Sequence, residues 1–153
     1  MNAKLSWAIF WALIVVFVVT AGVFRIPIFR ELLRGFPFLI VSGAIFLLLG
    51  VALIFFTVKE KVGGMLKKFL ILTGASSAGI PVSIFLHNAI YGLFILWFGP
   101  NIWDRIGLGE DEPVFFFIAV FLCPAAFLVG AVGSIILTIK RRRTVKKPPS
   151  IPQ

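Results

Sequence analysis

The sequence predicts an all-α integral membrane protein: a bundle of four transmembrane helices with a short amphipathic interfacial helix between the first and second. Hydrophobic residues occupy 60% of the 153 positions and charged residues only 14%, and the mean hydropathy is +1.08. A soluble domain has about 45–50% apolar and about 25% charged residues. The composition therefore excludes a water-soluble globule.

Four long runs without a charged residue predict the four spans. They cover residues 5–24, 35–58, 69–103 and 113–139. Each run reaches the roughly 20 residues that a helix needs to cross a bilayer core about 30 Å thick. Because the connections are short, we expect a single four-helix domain over residues 1–139 and a disordered, basic, proline-rich cytoplasmic tail over residues 140–153. Phe46, inside the uniformly apolar second run, is expected to face lipid.

The connection between the first two spans predicts the interfacial helix. It begins near a proline and ends at a glycine, residues suited to a helix start and a helix stop, and its apolar residues recur with helical spacing. Arg25, Arg30 and Arg34 would then contact lipid headgroups. A site for an anionic substrate on these arginines is the alternative.

Basic residues divide unequally between the two sides of the predicted bundle, with eleven on one side and four on the other. Since cytoplasmic loops carry the excess of lysine and arginine, we expect a cytoplasmic (inner) membrane protein with both termini in the cytoplasm. Arg141, Arg142 and Arg143 directly follow the fourth span and are expected to contact lipid headgroups. The positive charge therefore indicates topology and not nucleic-acid binding.

The third span carries the densest set of polar side chains. Polar groups in hydrocarbon are costly unless they face protein or a wet cavity, so this polar face should point inward. The candidate polar stripe consists of Ser76, Ser77, Ser83, His87, Asn88 and Tyr91.

Two interpretations of this stripe remain open. In the first, ridges of small residues pack the third span against the fourth, and His87 and Asn88 form hydrogen bonds between helices. The ridge residues are Ala75 and Gly79 on the third span and Ala126, Gly130 and Ser134 on the fourth. In the second, His87, Asn88 and Tyr91 form a ligand, proton or ion site, because ionisable groups within a membrane commonly mark such sites.

Several chemistries are disfavoured by the residue counts. Cys123 is the only cysteine, which excludes an intramolecular disulfide, and a single histidine cannot complete a haem or zinc site within one chain. We therefore expect no cofactor and no metal. The six acidic residues all lie outside the apolar runs, which argues against proton-coupled export. Glu110, Asp111 and Glu112 precede Pro113 and are expected to stabilise the start of the fourth helix.

Residues 101–105, Asn-Ile-Trp-Asp-Arg, resemble the Asn-x-x-Asp-Arg motif of lipoprotein signal peptidases, four-span aspartyl proteases of similar length. The resemblance implies that Asp104 would be one catalytic aspartate, paired in that family with a second aspartate at the fourth span. The fourth span here contains neither Asp nor Asn, so the pair that shares a proton is incomplete. We therefore expect no enzymatic activity, and the alternative for this segment is an exposed turn after Gly99.

The sequence thus favours a small multi-pass membrane protein without a catalytic constellation, acting as an accessory or scaffold subunit that binds other membrane proteins or itself. The expected partners are the lipid bilayer and another membrane protein or a second copy, and no nucleic acid. The alternative is a lipid- or small-molecule-handling protein, a channel or carrier, that uses the polar stripe. Tight packing around His87 would favour the scaffold, whereas a lined pocket there would favour the alternative.

Overall fold

The computed structural model describes residues 4–25, 36–107 and 112–145. Helices make up 91% of this part of the chain, which contains no strand. Four helices are long and apolar enough to cross a membrane. The prediction of an all-α chain with four such helices is confirmed. The predicted interfacial helix, with Arg30 and Arg34, lies outside the described residues, and so does the side chain of Arg25.

The helices lie close to the predicted runs. In chain order they are α1 (Lys4–Arg25), α2 (Phe36–Lys59), α3 (Met65–Phe98), the short α4 (Ile102–Arg105), α5 (Pro113–Phe117), a π-helical turn (Ile118–Leu122) and α6 (Cys123–Val145). The last three are continuous and together form the fourth long helix. α6 extends past the expected boundary at residue 139, so the first six residues of the expected tail are helical. Lysine and arginine are good helix formers, and cations favour the negative C-terminal end of a helix.

The π-helical turn has a cause in the sequence. The backbone N–H of Cys123 donates to the carbonyl of Ile118, five residues earlier, instead of four. Pro124 follows directly, and a proline ring within a helix clashes with the carbonyl four residues before it. The wider turn accommodates this ring without ending the helix.

All four long helices contribute to one core, in which α3 is central. α3 packs most extensively against α2 and α6, and α1 packs mainly against α2. The Phe17 ring of α1 also stacks on Phe127 of α6, with ring centroids 4.6 Å apart. The buried core consists of Phe10, Leu13, Phe46, Leu53, Val62, Leu66, Leu70, Phe127 and Ala131.

Glycines allow the backbones on both sides of α3 to touch. A Cβ placed on Gly50 of α2 would lie 2.6 Å from the carbonyl oxygen of Gly74, and one on Gly74 would lie 2.7 Å from the carbonyl oxygen of Gly50. On the other side, a Cβ on Gly130 of α6 would lie 2.8 Å from the backbone nitrogen of Thr73. The backbone of α3 therefore lies so close to the backbones of α2 and α6 that a side chain at these glycine positions would not fit.

The expectation that Phe46 faces lipid is wrong. Only 5% of this residue is exposed, and its ring packs edge-to-face against Phe17 with centroids 6.5 Å apart. The second run is apolar on every side, so its sequence contains no periodic signal that distinguishes the packed face from the outer face.

One end of the helices, here called the basic end, comprises residues 4–6, 59–68 and 140–143. Two hydrogen bonds join its parts: the Ser6 Oγ donates to the Glu60 carboxylate at 2.5 Å, and the Arg141 Nη2 donates to the Gly63 carbonyl at 3.1 Å. α4 and the start of α5 lie at the opposite end. The structure therefore brings the basic segments of the first, second and fourth helices together.

Candidate functional site

The serines of α3 near Phe46 form hydrogen bonds with backbone carbonyls. The Ser77 hydroxyl is buried and donates to the Phe46 carbonyl of α2 at 2.9 Å, which joins two helices. The Ser76 hydroxyl donates to the Leu72 carbonyl of its own helix. Ser83 is buried as well. This part of the predicted stripe faces the protein interior.

His87 connects α3 to the start of the fourth long helix. Its Nδ1 lies 2.8 Å from the backbone carbonyl oxygen of Glu112 and 3.3 Å from the Oε2 of the same residue. Only 15% of the His87 side chain and 7% of the Glu112 side chain are exposed. A histidine that carries its proton on Nδ1 donates a hydrogen bond to this carbonyl. The contact joins α3 to the start of the fourth long helix at the end of the protein opposite the basic end.

Glu112 also caps the fourth long helix. Its Oε1 accepts a hydrogen bond from the Val114 N–H at 2.8 Å, and its Oε2 accepts one from the Phe115 N–H at 3.0 Å. Pro113 occupies the first helical position, as the sequence predicted. A carboxylate here satisfies free backbone donors and interacts favourably with the helix dipole. Glu110 and Asp111, which were expected to share this role, lie outside the described residues.

The pairing of Glu112 with His87 is the site feature that the sequence did not identify. Glu112 lies outside the apolar runs, but it is buried in the structure. A signal was present: two antiparallel neighbouring helices place the end of one beside the start of the next, and His87 lies in the last part of the third span.

The expectation that Asn88 faces the bundle is wrong. Asn88 is exposed, and its Nδ2 donates to the Ile84 carbonyl of its own helix at 2.8 Å. Successive residues on a helix point about 100° apart, so a helix that turns His87 toward Glu112 turns Asn88 away. The local hydrogen bond satisfies the amide without a partner helix.

Tyr91 belongs to an aromatic cluster at the opposite end. Its ring stacks on Trp103 with centroids 5.9 Å apart, and the Phe94 ring also stacks on Trp103, with centroids 5.0 Å apart. Trp103 is buried, and its Nε1 has no hydrogen-bond partner among the described residues. Asp104 is exposed on α4. The segment that resembles the peptidase motif thus carries a tryptophan into the packed interior.

The predicted packing ridges are only partly at the helix contact. Gly130 lies against Thr73, and a Cβ on Gly79 would lie 2.9 Å from the Cys123 Sγ. Ser134 is buried and Ala126 is half-buried, whereas Ala75 is exposed. The expectation for Ala75 is therefore wrong, because Thr73 and Gly74 occupy the face of α3 that touches its neighbours.

The predicted headgroup arginines have different surroundings. Arg142 and Arg143 are exposed in the last turns of α6, whereas Arg141 binds the Gly63 carbonyl. Within residues 4–25, 36–107 and 112–145, no three His, Cys, Asp or Glu side chains are close enough together to hold a metal ion. The chain matches no protein-family model, no curated protein and no solved structure.

These contacts lead to a prediction that distinguishes two polar positions of α3, Ser77 and Asn88. Ser77→Ala should lower the free energy of unfolding in detergent by about 0.6 to about 1.7 kcal/mol, the range for hydrogen bonds between membrane helices. Asn88→Leu should have almost no effect, because its amide bonds only within its own turn. Thermal unfolding of the two purified variants tests this, and an Asn88 effect as large as that of Ser77 would contradict the assigned faces.

Proposed function

We propose that this protein is a bundle of four transmembrane helices in the cytoplasmic (inner) membrane, with both termini in the cytoplasm and a short amphipathic interfacial helix between the first and second spans. We propose further that it is a non-enzymatic accessory or scaffold subunit, which binds other membrane proteins or a second copy of itself.

The observation that supports a scaffold is the use of the polar groups of α3. The Ser77 hydroxyl holds α2, and the His87 ring holds the start of the fourth long helix at Glu112. Side chains engaged in this way stabilise the packing of the helices, and the tight surroundings of His87 favour the scaffold over a ligand site. The outward surface of the long helices is rich in apolar side chains such as Leu48, Phe85 and Leu128, and this is the surface available to lipid and to partner helices.

The orientation rests on the basic end, because most of the described basic residues lie there. A reporter that is active only outside the cytoplasm should be silent when fused after Gln153 and active when inserted near Gly107. The excess of lysine and arginine on cytoplasmic segments is the physical reason. Measurement of reporter activity in intact cells tests this prediction, and the reverse pattern would overturn the orientation.

The scaffold proposal is tested by isolating the protein with its neighbours. The full chain, tagged at Gln153 and expressed at its natural level, is cross-linked in intact membranes and purified in mild detergent. A defined membrane protein, or a second copy carrying a different tag, should co-purify at a fixed ratio. A chain that is recovered alone, both with and without the cross-linker, would contradict the proposal.

A second candidate function is a lipid- or small-molecule-handling protein, a channel or carrier. It is favoured by one observation: a buried carboxylate, Glu112, contacts the only histidine of the chain, and paired ionisable groups near a membrane often bind ligands or protons. The two functions differ in the effect of His87→Leu. If the protein is a scaffold, His87→Leu should lower its melting temperature. If His87 belongs to a ligand site, the variant should fail to restore the phenotype of a deletion strain while its melting temperature stays almost unchanged.

A further inference from the structure

We infer that the basic end carries a binding site for the phosphate groups of anionic phospholipids, where the start of α3 meets the end of α6. We call it the junction site, and it consists of Lys67, Lys68, Arg142 and Arg143. This inference deepens the proposed function, since it rests on the placement of the four long helices in a membrane.

The packing beneath the junction site brings its two halves together. Lys68 directly precedes Phe69, whose ring covers Gly133 of α6 so closely that a Cβ there would lie 2.5 Å from the Phe69 Cδ1. Above this contact, the Arg141 Nη2 donates to the Gly63 carbonyl, just before α3 begins. Two contacts, Phe69 with Gly133 and Arg141 with Gly63, therefore join α3 and α6 close to the lysines and arginines at their ends.

Within the part of the chain that the structure describes, no carboxylate pairs with Lys67, Lys68, Arg142 or Arg143. Nine lysines and arginines lie at the basic end, and Glu60 is the only acidic residue described there. Its carboxylate already accepts a hydrogen bond from the buried Ser6. Lys68, Arg142 and Arg143 are exposed. Cations that share one end of the protein repel one another, so a multivalent or clustered anion from outside stabilises this arrangement.

The position of the junction site favours lipid phosphate as that anion. α3 has 34 residues and is therefore about 51 Å long, whereas a hydrocarbon core is about 30 Å thick. The ends of such a helix reach the headgroup region, where lysine and arginine side chains extend toward lipid phosphates. Phosphatidylglycerol, which carries a net negative charge, fits this site, and phosphatidylcholine, which is neutral overall, does not.

The test measures lipid binding by the purified full chain in a neutral detergent. Phosphatidylglycerol and phosphatidylcholine with the same acyl chains are titrated, bound lipid is counted by native mass spectrometry, and the melting temperature is recorded. Lys68→Gln/Arg142→Gln should weaken phosphatidylglycerol binding by at least about tenfold, since each of these two cations would form a charge-assisted hydrogen bond with the bound phosphate, and one such bond contributes about tenfold or more. A second pair, Lys67→Gln/Arg143→Gln, should act in the same direction.

The matched control is Lys4→Gln/Lys59→Gln. It removes the same charge from the same end, but from α1 and α2, where Lys59 lies over the Phe55 ring at 5.7 Å. Phosphatidylglycerol binding should be nearly unchanged. An equal loss in this control would show a general charge effect and overturn the junction site. Inorganic phosphate is titrated in a parallel sample. If it raises the melting temperature as much as phosphatidylglycerol does, or if the wild type binds both lipids equally, the lipid assignment is overturned. Neither result affects co-purification of partners, which tests the scaffold separately.

Discussion

Adding one methyl group at Gly50 is expected to destabilise the protein by at least about 1–3 kcal/mol, the usual range for overpacking a tight interior. The new Cβ would lie 2.6 Å from the Gly74 carbonyl oxygen and 2.9 Å from the backbone nitrogen of Ala78. Both are backbone atoms of a long helix, and they cannot move aside as the tip of a side chain can. Gly50→Ala should therefore push α2 away from α3 over several turns and lower the melting temperature in detergent.

Gly92→Ala provides the control for Gly50→Ala. It lies in α3, it is exposed, and a Cβ there would have no described atom within 4 Å. Alanine is favoured over glycine in a helix interior by roughly 0.5–1 kcal/mol, so this variant should melt at or slightly above the wild-type temperature. Equal melting temperatures for the two variants would contradict the close approach of α2 and α3.

Loss of the Glu112 side chain is the second change with a large expected effect. Glu112→Ala removes the acceptor for the Val114 and Phe115 N–H groups and the carboxylate beside His87. Loss of an N-cap costs about 0.5–2 kcal/mol, and partly buried donors left without a partner add to it. We expect a clearly lower melting temperature, with the start of the fourth long helix exchanging its amide hydrogens faster.

Glu112→Gln serves as the comparison for Glu112→Ala. Its amide oxygen can still accept from the helix N-terminus, so this variant should keep most of the stability that Glu112→Ala loses. A double-mutant cycle with His87→Leu measures how much of the effect depends on the histidine. If alanine and glutamine at position 112 have the same effect, then Glu112 does not cap the helix as described.

The number and approximate bounds of the helices could be predicted from the sequence, because four uncharged runs of sufficient length can satisfy their backbone groups only as helices. The start of the fourth long helix at Pro113 was predictable for a local reason as well, since its cap is a carboxylate followed by proline. Both features depend on residues adjacent in the chain.

The faces of the helices were predicted less well. Phe46 is surrounded in sequence by apolar residues, and Asn88 and His87 are consecutive polar residues of which only one can face the fourth long helix. Choosing between them requires the rotation of α3, which is set by contacts such as the one between Gly50 and Gly74. These glycines lie 24 positions apart in the chain, and a pattern along one helix does not reveal which residues of another helix it meets.

The wide turn at Ile118–Leu122 makes the fourth long helix sensitive to chain length. Its buried positions recur every fourth residue from Ala119 through Cys123 to Phe127, which is a longer period than the 3.6 residues per turn of a regular helix. Deleting one residue within the turn would restore the regular period, but it would rotate the preceding part of the helix by about 100° about the helix axis. Glu112 would then lose its contact with His87, although neither residue had changed. The contact at the opposite end of the protein therefore depends on how many residues the turn contains as well as on which residues they are.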